Sequence, residues 1–239
     1  MNSVTRRTVK LATLACALAL ALPALTAALP KSTTAYLLGA RMIRSEIVAK
    51  SANGPYHDYR LDRGRIAKRT TGAVVLSERD GTQATLKVAA NARVILNGKS
   101  AKWRQLRPGM QAVVARTDDL PADVLYVTSP KVTPKIPEAT IAFLLGPKML
   151  RGEIGLRSAD GVVHDYLLDQ GRVRQVSPYV LTLREADGQV VTINITATAR
   201  VKLNGKNASF AQLRKGMMAT TMRDGDKPAD QVWAATRKK

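Results

Sequence analysis

The sequence predicts an all-β protein made of two tandem small antiparallel β-barrel or sandwich modules, each with one short helical turn. Three observations carry this expectation. The chain matches itself at a shift of 107 residues, with about 45 identities over about 100 positions and no gap, far beyond chance. Turn signals recur within each copy, at Asn53-Gly54, Arg63-Gly64, Asp80-Gly81, Asn97-Gly98 and Pro108-Gly109 in the first. Between them the residues alternate in polarity, the period of a half-buried strand.

The repeat sets the boundaries. His57-Asp58-Tyr59 falls on His164-Asp165-Tyr166, Asn97-Gly98-Lys99 on Asn204-Gly205-Lys206, and Pro121-Ala122-Asp123 on Pro228-Ala229-Asp230. The chain therefore divides into residues 1–28, a first copy at 30–129, a linker at 130–136 and a second copy at 137–239. Ser129 to Pro137 holds three prolines and two lysines, the composition of a short, semi-extended linker.

Residues 1–28 read as a secretory signal peptide. Arg6, Arg7 and Lys10 form a basic start, Leu11 to Leu22 run without a charge, and Ala27 and Ala28 supply small residues for cleavage. An extracytoplasmic location follows, with a retained single N-terminal membrane anchor as the alternative. Cys16 is the only cysteine, so cleavage would leave no thiol for a disulfide, a thiolate metal site or a nucleophile.

Each strand follows from its pattern. Ala84, Leu86 and Val88 point one way while Thr85 and Lys87 point the other, and Val191, Ile193 and Ile195 repeat the inward set. Val94 and Leu96, with Val201 and Leu203, do the same. Ser100 to Leu106, matched by Asn207 to Leu213, is the helical candidate. Eight of the ten aromatics fall in matched pairs, Tyr36/Phe143, Tyr59/Tyr166, Trp103/Phe210 and Tyr126/Trp233. Exchange among aromatic types at a fixed position fits a packing slot better than a base-stacking platform.

The series Arg93-Val94-x-Leu96-Asn97-Gly98-Lys99, then Gln105-Leu106-Arg107-x-Gly109-Met110, then Pro121-Ala122-Asp123 resembles secreted bacterial β-domains of unknown function. Such domains carry a similar strand, Asn-Gly turn and Leu-x-x-Gly-Met pattern. The resemblance covers the C-terminal half of each copy. It implies an extracytoplasmic β-fold and no activity.

The formal net charge is +20. Such an excess points to an anionic partner. Seven acidic and eight basic positions match between the copies, so the matched set is nearly neutral, and the excess sits at unmatched residues such as Lys68, Arg69, Lys102, Arg104, Arg174 and Lys215. The candidate ligand-binding cations are Arg41, Arg44, Arg65, Arg93, Lys99 and Arg107, with their counterparts Lys148, Arg151, Arg172, Arg200, Lys206 and Arg214. The expected partner is an anionic cell-envelope polymer, an anionic lipid or an acidic protein. Nucleic acid is disfavoured by export and by the lack of spare aromatics.

No enzymatic activity, cofactor or metal is expected. The chain has no Gly-rich phosphate loop and no Gly-x-Ser-x-Gly elbow. One histidine per copy does not make a zinc set, and Asp224, Asp226 and Asp230 lack calcium-loop spacing. The alternative is an enzyme using His57 with Glu46 and His164 with Glu153 as acid and base.

Overall fold

The computed structural model describes residues 27–51 and 54–236. The signal-peptide assignment therefore lies almost wholly outside the described residues. The protein is mostly β. A short helix α1 (Lys31–Leu37) precedes β1 (Met42–Lys50), β2 (Tyr56–Thr70), β3 (Ala73–Glu78), β4 (Gln83–Leu96) and β5 (Lys99–Ala101). A 3-10 turn (Trp103–Gln105), β6 (Gln111–Thr117) and β7 (Ala122–Thr128) follow. The series then recurs, each element beginning 107 residues after its counterpart: α2 (Glu138–Leu144), β8 (Met149–Arg157), β9 (Val163–Ser177), β10 (Val180–Arg184), β11 (Val190–Leu203), β12 (Lys206–Ala208), a 3-10 turn (Phe210–Gln212), β13 (Met218–Asp224) and β14 (Ala229–Ala235).

Strand pairing within each copy runs round a ring. β2 pairs β3, β3 pairs β4, β4 pairs β7, β7 pairs β6, and β6 pairs β2 again. In the second copy the same circuit joins β9, β10, β11, β14 and β13. The expectation of purely antiparallel strands needs correction, because β4–β7 and β11–β14 are parallel. The intervening β5, 3-10 turn and β6 form the crossover that a parallel pair requires. Asn97 and Gly98 both adopt positive φ, 51° and 80°, as a tight hairpin turn needs.

Arg63-Gly64 marks no turn. Gly64 lies inside the 15-residue β2, where the strand passes from β1 onto β3. A Cβ at Gly64 would stand 2.6 Å from the Ser77 carbonyl oxygen, and one at Gly171 2.6 Å from that of Arg184. Both glycines permit a close backbone approach at the bend of the sheet.

The two copies share one sheet. β1 pairs antiparallel with β8, and Glu46 lies opposite Glu153 at the centre of that ladder. The strand order places β8 and β1 between the two rings. The sequence left open whether the two copies dock, and the β1–β8 ladder joins them. Pro134 and Ile136 of the linker are buried, and Arg63 donates to the Pro134 carbonyl at 2.8 Å. The counterpart segment before α1 does the same on the other side: Ala27 and Leu29 are buried, and the Thr220 hydroxyl donates to the Ala27 carbonyl at 2.8 Å.

The exchange extends to the helices, which the sequence reading missed. Tyr36 of α1 packs edge-on against Tyr166 of β9, centroids 6.0 Å apart. Phe143 of α2 packs against Tyr59 of β2 at 5.2 Å. Each copy thus lends a strap and a helix to the other. Three cores result. One fills each ring, around Ile66, Leu76 and Leu125 in the first and Leu181, Leu183 and Val232 in the second. The third spans both copies and gathers Leu29, Leu37, Ile47, Ile136, Leu144 and Ile154. Burial of each such side chain contributes about 1.5–3 kcal/mol.

Candidate functional site

Register decides which side chains can meet. His57 lies opposite Ala49 across the β1–β2 ladder, whereas Glu46 lies opposite Arg60. The three-residue offset puts His57 and Glu46 on opposite faces of the sheet. Glu46 meets Arg60 at 3.2 Å on the outer face. The acid–base pair considered from the sequence does not assemble.

Each histidine instead holds a carboxylate. His57 Nδ1 lies 2.8 Å from Asp118, whose second oxygen accepts the Asp58 amide at 2.9 Å. His164 Nδ1 lies 3.0 Å from Asp224, which also accepts from Lys227 at 2.7 Å. These two carboxylates are not counterparts, since Asp118 aligns with Gly225 and Asp224 with Thr117. Each copy reaches the same pair from a different position. The Asp58 amide and the His57 ring hold Asp118 below its usual range. Asp224 is also depressed, where Lys227 and His164 outweigh burial. The pair pins the end of β6, or of β13, to the neighbouring long strand.

Arg44 and Arg151, two of the candidate cations, serve internal ion pairs. Arg44 donates to Glu78 at 2.9 Å and also bonds Asp80. Arg151 lies 3.1 Å from Glu185 and bonds Asp187. Glu78 and Glu185 are buried. Burial raises both carboxyl groups, against the pull of the arginine, and pushes Glu185 up to about 7. The difference between the copies has a visible source. Thr82 donates its hydroxyl to Glu78 at 2.8 Å, whereas Gln189 stands at that position in the second copy and accepts from Arg151.

Arg107 and Arg214 fold back on their own 3-10 turns, donating to the Leu106 carbonyl at 3.1 Å and the Leu213 carbonyl at 2.8 Å. Arg41, Arg65, Arg93, Lys99, Lys148, Arg172, Arg200 and Lys206 are exposed and form no ion pair among the described residues. Arg200 lies in the field of Asp230. These eight are spread over the sheet and the rings and do not converge in one pocket.

The larger pattern lies in the segregation of charge. Residues 63–116, which build most of the first ring, hold twelve Lys and Arg but only two acids, Glu78 and Asp80. Both acids are committed to Arg44, which comes from β1 outside the ring. Residues 170–223 hold nine Lys and Arg and two acids, Glu185 and Asp187, both committed to Arg151 from β8. Fourteen of the eighteen acids lie outside these stretches. The outer face of the central strands carries Glu46, Asp58, Asp62, Glu153, Asp165 and Asp169, offset in part by Arg60, Arg116 and Arg223. The molecule has two cationic poles flanking a mixed, acid-rich centre. Compared with family models, curated proteins and solved structures, the chain matches none.

Proposed function

We propose that this is a non-enzymatic, exported protein of the cell envelope. In this reading each ring of strands is a small closed barrel, and the two barrels bind an anionic polymer or surface. The charge segregation carries the proposal: residues 63–116 and 170–223 hold a large cationic excess, and the two carboxylates in each stretch are already paired with Arg44 or Arg151. An anionic envelope polymer, an anionic lipid surface or an acidic protein would supply the missing countercharge. Two linked poles favour an extended partner that engages both, which raises avidity without tight binding at either. Among the described residues no helix is long and apolar enough to cross a membrane. The basic, apolar pattern of residues 6–22 supports export.

Co-sedimentation of the protein with isolated cell envelopes across a salt series tests the reading. Binding should be strong at low salt and fall steeply as salt rises. Changing Arg65, Arg93, Lys99, Arg172, Arg200 and Lys206 together to Gln should abolish it. Binding indifferent to salt and to these changes overturns the proposal. Stripping individual polymers from the envelopes then identifies the partner.

A further inference from the structure

Two cavities occupy matching places, one on each pole, between the turn that follows the long strand and the 3-10 turn. The first, about 350 Å³, is lined by Arg69, Gly72, Val88 and Trp103. The second, about 690 Å³, is lined by Tyr179, Phe210, Arg214 and Lys215. Trp103 and Phe210 are counterparts, but the other functional groups are not. Arg69 aligns with Val176, Gly72 with Tyr179, and Pro108 with Lys215. Both cavities nevertheless combine an aromatic surface with cationic groups.

Two details set these places apart from ordinary surface. The Arg69 guanidinium lies over the Trp103 ring at 5.8 Å, a cation held above an aromatic face. Tyr179 adopts φ 58° at the position where the first copy has Gly72 at φ 74°. A bulky side chain is strained there. The residue is 57 % exposed, so little burial offsets the strain.

We propose that each cavity is a subsite for a ring of an anionic glycan, an inference that rests on the polyanion-binding reading above. The flat C–H face of a pyranose lies on Tyr179 and Phe210 in the second copy, and in the first it takes the place over Trp103 that the Arg69 guanidinium holds in the unliganded protein. Arg69 meets its carboxylate or phosphate in the first copy. Lys215 does so in the second, together with the Arg214 donors not turned to the Ala211 and Leu213 carbonyls. A sugar suits this geometry better than a nucleic acid strand, because each pole offers one small aromatic surface and single-strand binding stacks successive bases on successive platforms.

The test uses the full chain and exchanges residues that the other copy already carries, Tyr179→Gly and Arg69→Val, each checked for folding by circular dichroism. Binding is measured to a galacturonate hexamer, to a neutral glucose hexamer and to single-stranded DNA of matched charge. Tyr179→Gly changes no charge. It should weaken galacturonate binding about fivefold or more, and Arg69→Val should also weaken it. The neutral hexamer should bind far more weakly than the galacturonate. Unchanged galacturonate affinity in both variants overturns the inference and leaves the polyanion reading standing. Absence of all polyanion binding by the unaltered protein overturns both. DNA binding tighter than galacturonate, and lost in Tyr179→Gly, overturns the glycan assignment in favour of nucleobases.

Discussion

Glu46 and Glu153 stand directly opposite each other where β1 pairs with β8, two like charges at the centre of the contact between the copies. Arg60 answers Glu46 at 3.2 Å. The counterpart of Arg60 is Leu167, which lies opposite Glu153 and offers it no cation. Like charges opposed across strands destabilise by a few tenths to about 1 kcal/mol. Glu153→Gln should therefore stabilise the protein by about 0.5 kcal/mol at low salt, with the gain fading as salt rises. Urea unfolding at two ionic strengths measures this. A loss of stability in Glu153→Gln would contradict the opposition described.

The exchanged straps predict a single cooperative unit. Leu29 belongs to the segment before α1 and Ile136 to the linker, yet both lie in the core that spans the copies. Each change to Ala should cost about 2–4 kcal/mol. Each should move one unfolding transition of the entire chain. Calorimetry that resolves two transitions, only one of them shifted, would count against the shared core.

Glu185 predicts a pH dependence. Its ordinary value is 4.5 and burial raises it to about 7 in the folded protein. Between these values the folded state holds a proton that the unfolded state has released. Stability therefore falls as pH rises from about 4.5 to about 7. Gln189→Thr restores the hydroxyl donor that Thr82 gives to Glu78. This variant should lower the Glu185 pKa and flatten the slope. Thermal melts from pH 4 to 8 compare the two, and an identical slope would refute the assignment.

The close approach at Gly64 and Gly171 predicts intolerance to a methyl group. A Cβ at either place would lie 2.6 Å from a backbone carbonyl oxygen, which cannot swing aside as a flexible side-chain end could. Gly64→Ala and Gly171→Ala should each cost about 1–3 kcal/mol or more. Denaturant midpoints of the two variants provide the measurement.

Local features of the fold were legible in the sequence, and long-range ones were not. The alternation of Leu86 and Val88 with Lys87 marked β4, and Asn97-Gly98 marked its tight turn, because strand period and positive φ are written in neighbouring residues. The seven residues of α1 are too few to display a helical period, and its first residue follows Pro30 without a side-chain cap. The parallel pairing of β4 with β7, and the contact of β1 with β8, join segments that no local pattern links. The site was partly legible for the same reason. Positions matched in both copies, such as Arg44, Glu78 and Asp80, form an internal ion-pair node. Several cations singled out because they match are thus engaged within the fold. Residues at the cavities, Arg69, Tyr179 and Lys215, are unmatched. Their signal was the unmatched charge itself and, for Tyr179, its standing as one of two unpaired aromatics.

The crossed straps also bear on how the chain can fold as it is made. Vectorial synthesis delivers the first copy before residues 134–145 exist, so the seat for Phe143 beside Tyr59 stands empty until they emerge. The segment at Ala27 to Leu29 waits longer still, since Thr220 is 193 residues further along the chain than Ala27. Half-made chains expose Tyr59, Ile47 and the free edge of β1, a ready template for another half-made chain. Speed of completion, or a holder that covers that edge, then governs how much protein reaches its folded form.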